Sequence, residues 1–172
     1  MRVRQYVYFA LFSRHTSAEE MARWLGIEPD EITVRGSRGA EPVRPISHAW
    51  KVVCREPGLS VDEQVSHVLE RLRPHTDRIA ELAARLRAEN AEDAEDAEDA
   101  ESIEDAKYGG AVLEVVRYLN DHEDDPRTPL SNTMNPEALQ EPALLGWHLD
   151  LDVLRFLTAT GAALDVDEYD MT

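Results

Sequence analysis

From Tyr6 to Phe12 the apolar positions run almost without a break. That is the pattern of a central strand covered on both faces, or of one whose second face meets a partner. The period then changes. Ala18, Met21, Ala22, Trp24 and Leu25 follow helical spacing, Ser17 and Glu20 stand at the separation of a capping box, and Gly26 sits where a left-handed C-terminal cap is wanted. Pro29 keeps that helix from resuming. Glu31 to Arg35 alternates, which predicts a strand with Ile32 and Val34 toward a core and Thr33 and Arg35 outward. The strand HAWKVVCR places Trp50, Val52 and Cys54 on one side and Lys51, Val53 and Arg55 on the other.

Ser60 and Glu63 form a second capping box, and the helix behind it carries the stripe Val61, Val65, Val68, Leu69 and Leu72. Pro74 stops or kinks that helix, and a continuation from Thr76 presents Ile79, Leu82, Ala83 and Leu86 on one face. AVLEVVRYL reads as another strand. The stretch from Leu144 to Asp170 reads as strand LLGWHL, helix DVLRFLTATG and strand AALDVDEYD, with Asp150 or Asp152 as cap and Gly161 as terminator. This closing β-α-β unit repeats the opening one, since Ser17 to Gly26 and Asp152 to Gly161 have the same spacing. The expected fold is α+β, a ferredoxin-like or related sandwich with a mainly antiparallel sheet of about six strands and helices on one face.

A chain of 172 residues is the size of one domain. Two segments fit no element: an acidic insertion at about 89–106, read as flexible, and a long Pro-rich loop at about 119–143 containing Pro126, Pro129, Pro136 and Pro142. The formal net charge is −17, and without the seven acids between Glu92 and Glu101 it is still −10. Such a field repels phosphate backbones and anionic lipid, so neither nucleic acid nor membrane is expected as a partner. Cys54 is the sole cysteine, which excludes an intrachain disulfide and a multi-cysteine zinc site and suits a reducing compartment. The N-terminal apolar stretch is short and runs straight into a helix-start signal, so it reads as a strand and not a leader, and no window approaches the roughly 20 apolar residues that span a bilayer. A cytoplasmic location is expected.

The candidate chemistry is sparse. Gly36, Ser37, Arg38 and Gly39 offer backbone N–H groups to an anion, without the spacing of a phosphate-binding loop. Asp121, His122, Glu123, Asp124 and Asp125 are adjacent, and adjacent residues seldom converge on one cation. His67 and His75 are too far apart for helical chelation. Asp150, Asp152, Asp165 and Asp167 suit either paired-carboxylate chemistry or a helix cap and an outward strand face. No metal and no cofactor are expected. The remaining set is Arg35, Arg38, Arg44, His48, Trp50, Trp147 and His148, residue types that concentrate in tight interfaces, although both tryptophans equally suit a core.

The aromatic first strand, the WLGIEPDEITVRG stretch with Leu25, Gly26, Ile27, Pro29 and Gly36, Trp50 in the third strand, the VLERLRPHTDRIAEL helices and the ending LTATGAALDVDEYD together resemble a bacterial family known as domain of unknown function 4279. The resemblance implies a small α+β fold with no established activity, and some such domains are suspected immunity proteins of toxin systems. The acidic tract and the Pro-rich connection depart from that pattern. The expected function is non-enzymatic protein binding, one form of which is a toxin-neutralising immunity protein that meets a basic partner through an acidic surface. A small hydrolase or ligand-binding enzyme using the Gly/Arg loop or the Asp cluster, and a homodimeric scaffold, are the alternatives.

Overall fold

The computed structural model describes residues 3–37, 45–94, 110–119 and 146–171, without the side chains of 92–94. The elements in order are β1 (Val3–Ser13), α1 (Ala18–Leu25), β2 (Glu31–Thr33), β3 (His48–Cys54), α2 (Val61–Leu72), a 3-10 turn (Arg73–His75), α3 (Thr76–Ala94), β4 (Ala111–Leu119), α4 (Leu151–Thr160) and β5 (Ala163–Asp170). They form one sheet ordered β2-β3-β1-β4-β5. β1 pairs antiparallel with both β3 and β4, β2 pairs antiparallel with β3, and β5 runs parallel to β4. The first four strands therefore have the split β-α-β order of a ferredoxin-like sheet, and β5 extends it by one position.

Local signals set the helix ends. The Ser17 and Ser60 hydroxyls accept from the Glu20 and Glu63 amides, and each glutamate accepts from the amide of its cap, at 2.9 and 2.8 Å. Gly26 and Gly161 close α1 and α4 with φ of 69° and 66°. Pro74 lies in the 3-10 turn that separates α2 from α3.

β1 shows why its apolar run is unbroken. Val7, Phe9 and Leu11 point into the main core, while Tyr8 and Ala10 belong to a second cluster on the opposite face. The main core is roofed by Met21 and Leu25 of α1, the α2 stripe, Ile79, Leu82 and Leu86 of α3, and Val153, Phe156 and Leu157 of α4. Phe156 meets Phe9 edge to face at 5.6 Å between ring centroids. Burying each large apolar side chain contributes about 1.5–3 kcal/mol before entropy is counted, so this layer dominates the stability.

Four expectations need correction. The described residues form five strands, not six, because residues 146–149, the described part of LLGWHL, adopt no strand. The parallel partner of β5 is β4. The cap of α4 is Asp150, whose Oδ1 accepts from Val153 N at 2.8 Å, so the equal cap-to-glycine spacing of the two end units does not hold. β2 is a three-residue edge strand, and Ile32 is 49% exposed instead of facing the core. The backbone of α3 runs through Ala94, so the acidic insertion begins within a helix. Residues 95–109 and 120–145, and with them the rest of that insertion, most of the Pro-rich loop and the His122 cluster, lie outside the described residues. Among the described residues no helix is long and apolar enough to cross a membrane.

Candidate functional site on the helix-free face of the sheet

The seven interface candidates do not make one patch. Trp50 is 0% exposed, facing the helices, with its indole N–H donating to Ile27 O at 3.4 Å. Trp147 packs half-buried against the same core. Arg35 and His48 do meet: the Arg35 amide donates to His48 Nδ1 at 3.2 Å, and the Arg35 guanidinium reaches Arg14 O at 2.9 Å. His148 belongs elsewhere, 3.9 Å from Asp62 in the first turn of α2, which starts beyond the far end of β3 from His48. It helps line a cleft of about 290 Å³ with His67, Ser66 and Asp150. Arg38 and Arg44 lie outside the described residues.

The other candidates disperse similarly. The Gly36 and Ser37 amides donate to Pro45 O and Val34 O, so neither points at an anion. Asp150 caps α4 and Asp152 pairs with Arg155, whereas Asp165 and Asp167 lie on the sheet. Among the described residues no group of three or more metal-ligating side chains is placed to hold an ion.

A different site emerges on the face of the sheet that carries no helix among the described residues. Strand alternation and register assemble it. Arg4, Tyr6, Tyr8, Ala10 and Phe12 come from β1, Lys51, Val53 and Arg55 from β3, Val112, Glu114, Val116 and Tyr118 from β4, and Asp165, Asp167 and Tyr169 from β5. The four tyrosines form two stacked pairs, Tyr6 on Tyr8 at 6.2 Å and Tyr118 on Tyr169 at 5.2 Å. Each of three cations lies over a ring: Arg4 over Tyr118 at 4.1 Å, Lys51 over Tyr8 at 4.4 Å and Arg55 over Tyr6 at 4.0 Å. Such contacts are worth about 0.5–1 kcal/mol each where exposed, and they hold long, entropy-rich side chains in place over the sheet.

The acids gather on the β4–β5 side. Glu114 stands directly opposite Asp165, and Asp167 opposite Val116. Like charges so close on one sheet face oppose each other. The Tyr8 hydroxyl donates to Glu114, and Tyr169 donates to Asp167 at 3.2 Å. Burial, followed by the bond to Glu114, pushes the Tyr8 phenol far above its usual range, so it remains a donor. Burial also lifts the Glu114 carboxyl above the ordinary carboxylate range; Asp167 and Asp165 reinforce this, and Tyr8 and Lys51 oppose it. The Lys51 ammonium is depressed, chiefly by burial, against the pull of Glu114 and Glu31.

This gives a pH prediction with a definite sign. Because folded Glu114 holds its proton more tightly than the unfolded chain does, its contribution is complete below the unfolded carboxylate pKa and is lost as pH rises through the raised folded value. Glu114→Gln keeps an acceptor for Tyr8 without the charge. The variant should match or exceed the parent in urea midpoint at pH 7.5, and its advantage should shrink toward pH 4.5. A variant clearly less stable at pH 7.5 would mean that the ionised carboxylate is needed there.

The signal for this face was partly local: every even position of β1 from Tyr6 to Phe12 is aromatic or alanine, and Lys51 and Arg55 alternate with core residues. What brings Glu114, Asp165 and Tyr169 beside them is strand order and register, which no local pattern contains. The model of a family described as Domain of unknown function (DUF4279) matches residues 3–91, from β1 into α3. No curated protein and no solved structure matches the chain.

Proposed function

Because the chain belongs to the DUF4279 family, whose description assigns no activity, we propose a function from the site itself: a non-enzymatic module that binds a protein with a basic surface through the helix-free face of its sheet. The observation that carries this reading is the layer of stacked tyrosines and ring-seated cations beside Glu114, Asp165 and Asp167. Tyrosine and arginine supply large contact areas at little entropic cost and dominate interface hot spots. Tyr169 is exposed and Tyr6 and Tyr118 are half-buried, so a partner can bury further aromatic surface here. The net charge of −17 selects a basic partner and speeds its approach. Occlusion of a basic toxin by an immunity protein is one form of this function.

The test is capture from native lysate by the wild-type chain and by a Tyr118→Ala/Tyr169→Ala double variant of verified fold. The expected partner is basic, associates more slowly as salt rises, and binds the double variant about a hundredfold more weakly, the loss of two hot-spot side chains. If that partner is a toxin, co-expression of the wild type, and not the variant, should protect the cell. A partner held equally well by the double variant, or the absence of any salt-dependent partner, would overturn the assignment.

A further inference from the structure

The two edges of the sheet are built differently. β2 ends one side with three residues, too short to template another strand. β5 ends the other with eight, Ala163 to Asp170, in unbroken one-to-one register with β4. Short length, bulges, prolines and lysines are the usual devices that close an edge to further pairing, and β5 has none of these.

The hydrogen bonds show which main-chain groups of β5 look outward. Met171 N donates to Leu119 O at 3.0 Å, so by strand alternation the odd-numbered residues turn their N–H and C=O groups toward β4. Leu164, Val166 and Glu168 turn theirs away. Val166 agrees with this, because its N–H is met not by a strand but by the Asp165 carboxylate, at 2.9 Å. Among the described residues no strand lies beyond β5, and Leu164 and Glu168 are exposed.

The side chains of β5 select what pairs there. Asp165 and Asp167 lie on the helix-free face, and Leu164 and Val166 on the helix side, where Leu164 is still 40% exposed. The strand carries four acids and no cation. Glu168 is paired with Arg117, whereas Asp167 accepts from the Tyr169 hydroxyl, a neutral partner. A second β5 would set acid beside acid, and two chains of net charge −17 repel, so this edge rejects its own copy. A strand alternating Lys or Arg with apolar residues fits it: the cations lie beside Asp165 and Asp167, and the apolar residues cover Leu164 and Val166.

We propose that β5 takes up an extended segment of the protein partner as an additional strand, one in which lysine or arginine alternates with apolar residues. Main-chain bonds at Leu164, Val166 and Glu168 supply affinity, a partner carbonyl replaces Asp165 at Val166 N, and alternate side chains supply specificity. This rests on the reading of a basic protein partner and names the element by which that partner is held.

The test follows amide chemical shifts of the full chain during titration with a capped heptapeptide of alternating lysine and valine. Two controls run beside it: a glutamate–valine heptapeptide, and the same lysines and valines arranged in two blocks, which keeps the charge without the alternation. The alternating lysine peptide should saturate and move the Leu164, Val166 and Glu168 amides, and each control should bind about tenfold or more weakly. Leu164→Pro removes an outward N–H and leaves the bonds to β4 in place, and Asp167→Lys reverses one charge; each should weaken the lysine peptide about tenfold. Should Leu164→Pro fail to fold, Asp167→Lys and the control peptides still decide. Peptide binding that Leu164→Pro weakens, with no partner captured from lysate, would uphold the edge while the wider reading fails. A captured partner lost by the double tyrosine variant but held by Leu164→Pro would keep the face and overturn the edge. Failure to saturate at millimolar peptide, or equal binding of the block control, would also overturn the proposal.

Discussion

Trp50→Ala should lower the unfolding free energy by about 3–5 kcal/mol, the largest loss expected from truncating any one core side chain. The side chain is 0% exposed and sits in the main core with Val52 and Cys54, facing the helices. Alanine removes most of its buried area and leaves a cavity that α1 and the rigid sheet cannot close. It also removes the indole donor to Ile27 O. Because a domain retains only about 5–15 kcal/mol in all, the loss takes a large share of the margin. For a chain of this length it corresponds to a fall in Tm of roughly 6–20 °C. Urea unfolding followed by far-UV circular dichroism checks the prediction. Trp50→Phe, which fills part of the volume, should cost less than half as much. A change within about 0.5 kcal/mol for the alanine variant would be the behaviour of a surface residue and would return Trp50 to the interface candidates.

Trp50 illustrates what the sequence could and could not convey. The alternation of HAWKVVCR places Trp50 opposite Lys51 and Arg55, and that is observed. It does not say which of the two faces receives the helices. The same ambiguity applied to β1, whose unbroken apolar run was compatible with a second buried face or with a partner. The structure resolves it by giving Phe9 and Leu11 to the helices and Tyr6 and Tyr8 to the opposite side. Helix termini were legible because a capping box is a contact between residues three apart, so Ser17 with Glu20 and Ser60 with Glu63 need no knowledge of the fold.

The candidate site was far less legible, since it depends on pairings between residues distant in sequence. Tyr8 meets Glu114 across 106 positions. Asp165 and Asp167 looked like an outward strand face, and on that face β5 docks parallel to β4 and brings them against Glu114 and Tyr8. Of the residues chosen as interface candidates, Arg35, Trp50 and His148 lie in three different places, while Arg4, Arg55, Tyr118 and Tyr169 share one face.

Gly110 provides the second large effect, and its reason also is invisible in sequence. It directly precedes β4 with φ of 87°, a conformation that side chains rarely adopt. A Cβ at this position would lie 3.1 Å from Leu86 Cβ and 3.2 Å from the Arg87 backbone nitrogen, both parts of α3. Neither is the free end of a flexible chain, so relief requires helix and strand to move apart. That movement would strain the bond from Phe12 N to Gly110 O, which anchors this end of β4 to β1. The conformational penalty is about 1–2 kcal/mol and crowding adds about 1–3, set against about 0.4–1 gained from a less flexible unfolded chain. On these magnitudes Gly110→Ala should destabilise by roughly 2–4 kcal/mol. Gly58 separates the two contributions, having φ of 84° with open space for at least 4 Å around the point a methyl group would occupy. Gly58→Ala should cost only about 1 kcal/mol, the conformational part alone. If the two variants unfold at the same urea concentration, close packing of α3 against the entry to β4 contributes nothing, and the strain at Gly110 is purely that of its backbone.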